Sequence, residues 1–163
     1  MSHLWISETA FRDMVEEANR ACPMETGGVL VGYFAEFGEP VVFAAIGPGP
    51  NAIHLKNRFM PDHTWQCEQL EGIFQKSSGT WVYLGDWHTH PDCSARMSRL
   101  DQRTLRSIAK FKQAENPKPL MLIGGYSSSD WDCAGYQYLG NRLFRFLVSY
   151  KQCSLRLFPI LNI

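Results

Sequence analysis

The stretch Trp81-Val82-Tyr83-Leu84-Gly85-Asp86-Trp87-His88-Thr89-His90-Pro91 reads as one strand running into a pair of histidines. Val82 and Leu84 supply its apolar positions, and the proline closes it. Side chains alternate across a strand, so His88 and His90 point to the same side. One rigid element therefore presents two imidazole nitrogens together. Asp101 stands eleven residues past His90, in the first turn of a helix that Ser98 begins. A loop of that length can fold back and bring the carboxylate to the two rings. Two histidines and one carboxylate, with a fourth position left to water, are the ligand set of a catalytic rather than a structural zinc ion.

Such an ion lowers the pKa of its water, and a base must then take the proton and return it to the leaving amine. Glu25, in Met24-Glu25-Thr26-Gly27-Gly28 at the entry to an apolar strand, is the candidate base. Ser98 is placed to donate a hydrogen bond to an oxyanion developing on a carbonyl. Each residue also has a plainer reading. Ser98-Arg99-Leu100-Asp101 is a capping-box-like pattern, although a capped helix end is itself a rigid mount for a ligand. Glu25 alone would be a surface residue after Pro23, and two strand histidines alone would be half-buried and satisfied. The register of His88, His90, Pro91, Ser98 and Asp101 favours the site. His54 and His63 lack such companions and read as ordinary surface or helix residues. Asp86 and Asp92 read as supporting or solvated carboxylates, and Cys93 as a conventional loop cysteine.

Outward from this segment the elements alternate in type. A strand at His3–Ile6 meets Ser7, an N-cap, and Phe11, Met14, Val15 and Ala18 give a helix to about Ala21. Val29–Phe34 and Val41–Ile46, joined by a turn with Gly38 and Pro40, form an antiparallel hairpin. Residues 52–59 read as a further strand. Pro61-Asp62 opens a helix whose buried face is Trp65, Leu70, Ile73 and Phe74. The helix after Ser98 carries Leu100, Leu105, Ile108 and Phe111 as its apolar set. Leu120–Ile123 is a buried strand, with others near 131–138, 143–149 and 154–159. The sum is one mixed α+β domain over residues 1–163, with two or three helices on a mainly antiparallel sheet.

The 163 residues balance 16 basic against 16 acidic side chains, so no strong field draws the protein to nucleic acid or to an anionic membrane. The first residues lack the basic and apolar regions of a signal peptide, and no apolar stretch approaches a membrane span. Five scattered cysteines read as reduced thiols of a cytoplasmic protein.

With Glu25, His88-Thr89-His90-Pro91 and Ser98-Arg99-Leu100-Asp101 in this order, seven residues lying between His90 and Ser98 and two between Ser98 and Asp101, the chain resembles the JAB/MPN (JAMM) metallopeptidases. The resemblance covers roughly Ser7 to Gly125. It implies a JAB/MPN (cytidine deaminase-like) α+β fold, a curved, mainly antiparallel sheet flanked by two or three helices. It implies one Zn2+ held by His88, His90 and Asp101, with Glu25 and Ser98 catalytic. The activity implied is hydrolysis after the C-terminal residue of a ubiquitin-like or C-terminally conjugated protein. The short chain is most similar to stand-alone prokaryotic members, some of which sit in anti-phage (CBASS-like) operons beside E1-like and E2-like proteins. Relatives that release cysteine from a sulfur-carrier protein, and members that are non-catalytic scaffolds, supply the alternatives. Residues 47–60 and 91–97 are the expected walls of a channel in which a peptide tail adds as a strand.

Overall fold

A computed structural model describes residues 2–127, 130–140 and 150–160. The chain runs β1 (His3–Ser7), α1 (Glu8–Ala21), β2 (Gly27–Phe34), β3 (Pro40–Ile46), β4 (Ile53–Leu55), β5 (Arg58–Met60), α2 (His63–Lys76), β6 (Val82–His90), α3 (Arg99–Lys110), β7 (Leu120–Ser127), β8 (Asp130–Tyr138) and β9 (Tyr150–Phe158). Seven strands close a barrel in the order β1-β3-β2-β6-β7-β8-β9, with β9 returning to pair in parallel with β1. The β2/β3, β2/β6, β7/β8 and β8/β9 pairs are antiparallel; β6/β7 and β1/β3 are parallel. The α+β class, the mainly antiparallel curved sheet and the three helices agree with the sequence reading.

Two apolar clusters hold the barrel. Leu120 and Leu122 of β7 pack with Leu4, Ile6, Met14, Leu30 and Trp87, whereas Met121 and Ile123 pack with Leu105, Ala134 and Tyr136. The strand is buried on both sides, which is why its sequence is a continuous apolar run rather than an alternating one. α1 starts on Ser7, whose hydroxyl accepts the Ala10 N–H at 3.0 Å, and it buries Ala10, Met14 and Ala18.

Several expectations change. Residues 52–59 are not one strand but the two short strands β4 and β5, paired as a separate hairpin from Ile53 opposite Met60 to Leu55 opposite Arg58. In α2 only Gln66 is buried, its amide donating to the Gly47 carbonyl at 2.8 Å; Phe74 is 37% exposed. In α3 Leu105 is buried, but Leu100 is 63% exposed, and Phe111, at its C-cap, is 54% exposed. Apolar side chains of both helices border a groove instead of the core. The expected strand at 143–149 lies outside the described residues.

Candidate functional site

β2 and β6 build the centre of the site. Their antiparallel register sets Gly27 opposite His88 and Gly28 opposite Trp87. Just before β2, Thr89 N–H donates to the Thr26 carbonyl at 2.9 Å, which carries the pairing toward Glu25 and His90. Gly27 has no room for a Cβ, which would strike the Phe59 ring of β5 and the Trp87 carbonyl. The glycine thus lets the β4–β5 hairpin close over the start of β2. The hairpin fixes the Glu25 backbone twice: Glu25 N–H donates to the Leu55 carbonyl at 2.9 Å, and His54 Nδ1–H donates to the Glu25 carbonyl at 2.9 Å. His54, an ordinary surface histidine by sequence, braces the candidate base. Only knowledge of the hairpin's fold-back would have revealed that.

The three candidate ligands meet. His88 Nε2 lies 3.1 Å from His90 Nε2 and 3.2 Å from Asp101 Oδ1, and His90 Nε2 lies 3.6 Å from Asp101 Oδ2. Their side chains are only 10–14% exposed. His90 Nδ1–H donates to the Ser94 carbonyl at 3.3 Å, which leaves the Nε2 lone pair directed at the other donors. Two ring nitrogens and a carboxylate brought this close are held together either by a proton on His88 Nε2 or by a cation shared among them. A tetrahedron with bonds of about 2.0–2.1 Å has edges of roughly 3.3 Å, close to the three separations here. Among the described residues this is the one group of three or more histidine, cysteine or carboxylate side chains able to hold a metal ion. The donor set therefore fits a divalent metal.

Ser98 and Asp101 form the full capping box. Asp101 N–H donates to Ser98 Oγ at 3.2 Å, and Ser98 N–H donates to Asp101 Oδ2 at 2.7 Å. The cap leaves Oδ1 to His88, and accepting a bond does not consume the Ser98 hydroxyl proton. Both readings of this motif thus share one geometry.

The electrostatics follow the burial. Burial, the largest influence on Asp101, pushes its carboxyl up, but the hydrogen bond and charge of His88 and the Ser98 bonds outweigh it. The group is held well below the usual carboxylate range. Burial and the neighbouring His88 pull the His90 imidazole below its ordinary value. Glu25 goes the other way: burial raises its carboxyl, opposed by His88 and helped by Asp101. Asp86, one alternation before His88, accepts the Tyr83 hydroxyl at 2.7 Å, and burial pushes it up. It is a partly buried, hydrogen-bonded carboxylate and stands outside the cluster, as do the exposed Asp92 and Cys93.

Glu25, His88 and Asp101 open on a groove of about 1460 Å³. Its apolar lining includes Leu70 and Phe74 of α2, Leu100 and Ile108 of α3, and Phe111 at the C-cap of α3. Asn57, Arg58 and Phe59 line it from the 47–60 segment, and no residue of 91–97 does. Loop 91–97 packs instead on β7, its Ala95 backbone against Gly125.

Residues 7–134 match the family model described as prokaryotic homologs of the JAB domain. A probable metalloprotease from Sinorhizobium fredii is 33% identical over 129 residues, 78% of this chain and 79% of that protein. A CD-NTase/cGAS isopeptidase from Enterobacter hormaechei is 31% identical, over 74% of this chain and 66% of its own length. The solution structure of a protein from Desulfitobacterium hafniense superimposes with a TM-score of 0.70, covering 98% of this chain and 95% of that one. At 20% identity that likeness speaks for the fold alone. Among the described residues no helix is long and apolar enough to cross a membrane.

Proposed function

Because the chain belongs to the family of prokaryotic homologs of the JAB domain, we propose that it is a zinc-dependent isopeptidase or peptidase. In this reading it is a single-domain cytoplasmic enzyme that hydrolyses the bond after the C-terminal residue of a ubiquitin-like or C-terminally conjugated protein. The observation that carries the reading is the convergence of His88, His90 and Asp101 donor atoms, two of which, His88 and Asp101, line a groove together with Glu25. The isopeptidase names of the relatives support a conjugated protein substrate, which E1-like and E2-like partners would assemble in anti-phage defence.

His88, His90 and Asp101 would hold the ion. When bound, zinc supplies a water of lowered pKa and polarises the scissile carbonyl. Glu25 takes the proton of the attacking water and hands it to the leaving amine. Burial has raised its carboxyl, which brings it nearer the range where a group both accepts and returns a proton at neutral pH. The Ser98 hydroxyl, fixed at the helix cap, donates to the oxyanion. The groove, lined by β5 and by apolar side chains of α2 and α3, takes the extended tail that precedes the scissile bond.

The test uses two variants. Glu25→Ala is expected to keep one zinc per chain and lose turnover; His88→Ala is expected to lose both. Zinc-loaded Glu25→Ala then serves as bait in host lysate, with retained species identified by mass spectrometry. A protein joined through its C-terminal residue to a lysine or other amine is the expected catch. Near-normal turnover by Glu25→Ala would overturn the mechanism, and a small carrier bearing a single amino acid would point to the cysteine-releasing activity.

A further inference from the structure

Two tyrosines on the last strands of the barrel hold the segment that carries Ser98 and Asp101. Tyr136 of β8 is 7% exposed, and its hydroxyl donates to the Ala95 carbonyl at 3.1 Å. The same oxygen accepts the Met97 N–H at 3.4 Å. Both partners lie in the loop between His90 and Ser98. Ala95 is 3% exposed, and a Cβ on Gly125 would collide with its nitrogen, so this loop is seated on β7 by close backbone contact. Tyr150 opens β9, and its hydroxyl accepts from Gln102 Nε2 at 3.2 Å. Gln102 is the residue after Asp101. The two tyrosine rings meet edge-on, 5.9 Å apart, and Leu105, one turn beyond Asp101, packs in the Tyr136 cluster.

We propose that Tyr136, aided by Tyr150, is a positioning residue for the metal site: the pair sets where Asp101 and Ser98 stand relative to His88 and His90. The backbones of the two histidines need no such aid, because they ride on β6 between two paired strands, and only the His90 ring bonds to the loop, donating to the Ser94 carbonyl. Asp101 is different. It reaches the histidines only through a loop and the first turn of α3, and a ligand on a loop is as precise as what anchors the loop. Tyr136 anchors the loop before the helix and Tyr150 the turn that holds the ligand. Both lie beyond residue 134, where the match to the family model ends. The C-terminal strands thus complete a site whose proposed ligands all lie before them.

The inference rests on the metal reading above, and the experiment separates the two. Cobalt(II) is the probe, titrated into the metal-free full chain, because the intensity of its visible bands follows coordination geometry. Tyr136→Phe removes only the hydroxyl. It is expected to weaken cobalt binding by about 10-fold or more and to change the band intensities, as loss of a residue that orients a ligand does. Ile6→Val, in the core on β1, is the comparison for a simple loss of stability. If Tyr136→Phe keeps wild-type cobalt affinity and spectrum while melting lower, as Ile6→Val does, the tyrosine is merely structural and the proposal is overturned. Should Tyr136→Phe not fold, Tyr150→Phe carries the test. A several-fold loss of cobalt affinity there supports the bracket, and unchanged affinity removes it. If the wild-type chain takes up no cobalt, the metal reading itself fails and the bracket with it.

Discussion

The Thr89 hydroxyl accepts the buried Thr26 N–H at 3.0 Å and donates to the Thr26 carbonyl at 3.4 Å. One side chain, lodged between the two histidines, thereby ties the strand of the candidate ligands to the segment of the candidate base. Thr89→Val keeps the shape but strands a buried N–H, at a cost of about 1–3 kcal/mol. At about 2–4 °C per kcal/mol for a chain of this size, melting should fall by roughly 2–12 °C. Turnover should fall up to about 100-fold through displacement of Glu25, with bound metal nearly unchanged. Thr89→Ser, which retains the hydroxyl, should recover most of both. Loss in Thr89→Ser with none in Thr89→Val would show that the methyl, not the hydroxyl, matters.

The histidine pair and Asp101 were legible in the sequence because each depends on local geometry. Strand alternation aligns His88 with His90, and a capping box fixes Asp101 at the third helical position. The braces were not legible. His54 meets the Glu25 carbonyl across 29 positions and Tyr136 meets Ala95 across 41, and no periodicity carries contacts of that range. The helix faces were misread for a related reason. An apolar stripe at helical spacing says that something covers it, not whether that is the core or the wall of a groove, and Leu100 and Phe111 fall on the groove.

The double role of Ser98 can be divided by choice of substitute. At an N-cap, alanine costs about 1 kcal/mol and glycine only a few tenths. Ser98→Ala should therefore lower the melting temperature measurably and Ser98→Gly hardly at all. Both lose the hydroxyl, so both should lose roughly 100- to 1000-fold in kcat if it meets the oxyanion. A drop in kcat that tracked stability across the two variants would reduce Ser98 to a cap.

Acidification should weaken the metal-free protein in two stages. Burial and His88 hold the folded His90 imidazole below its ordinary 6.5. Below about pH 6.5 the unfolded chain therefore takes up a proton that the folded chain refuses, and the contribution of neutral His90 is progressively lost. Asp101 is held below its ordinary 3.8, so its contribution is present above that pH and disappears as pH falls further. Glu25, raised by burial, acts in the opposite sense, and the cleanest background is Glu25→Gln. Denaturant titrations of chelator-treated protein between pH 8 and 3 should show stability falling as pH falls. The decline should be steeper with metal present, since protons then compete for the ligands as well. A flat profile in both forms would contradict the burial of the cluster.

The groove makes a prediction about binding alone. Leu100 and Phe111 are 63% and 54% exposed, so replacing them with serine removes little buried area and should move stability by no more than about 0.5 kcal/mol. Neither side chain belongs to the metal cluster, and zinc content should stay as in the wild type. If the tail of a conjugated protein lies along α3, however, these two side chains contact it before and after the bond is cut. Lost contacts of that uniform kind raise KM and leave kcat nearly unchanged. The discriminating comparison is between a full conjugate and a short peptide that spans only the scissile bond. Leu100→Ser with Phe111→Ser should raise KM for the conjugate several-fold and leave the short peptide untouched. An equal effect on both substrates would place the tail elsewhere, and an effect on kcat would mean that α3, with Asp101 on its first turn, had moved.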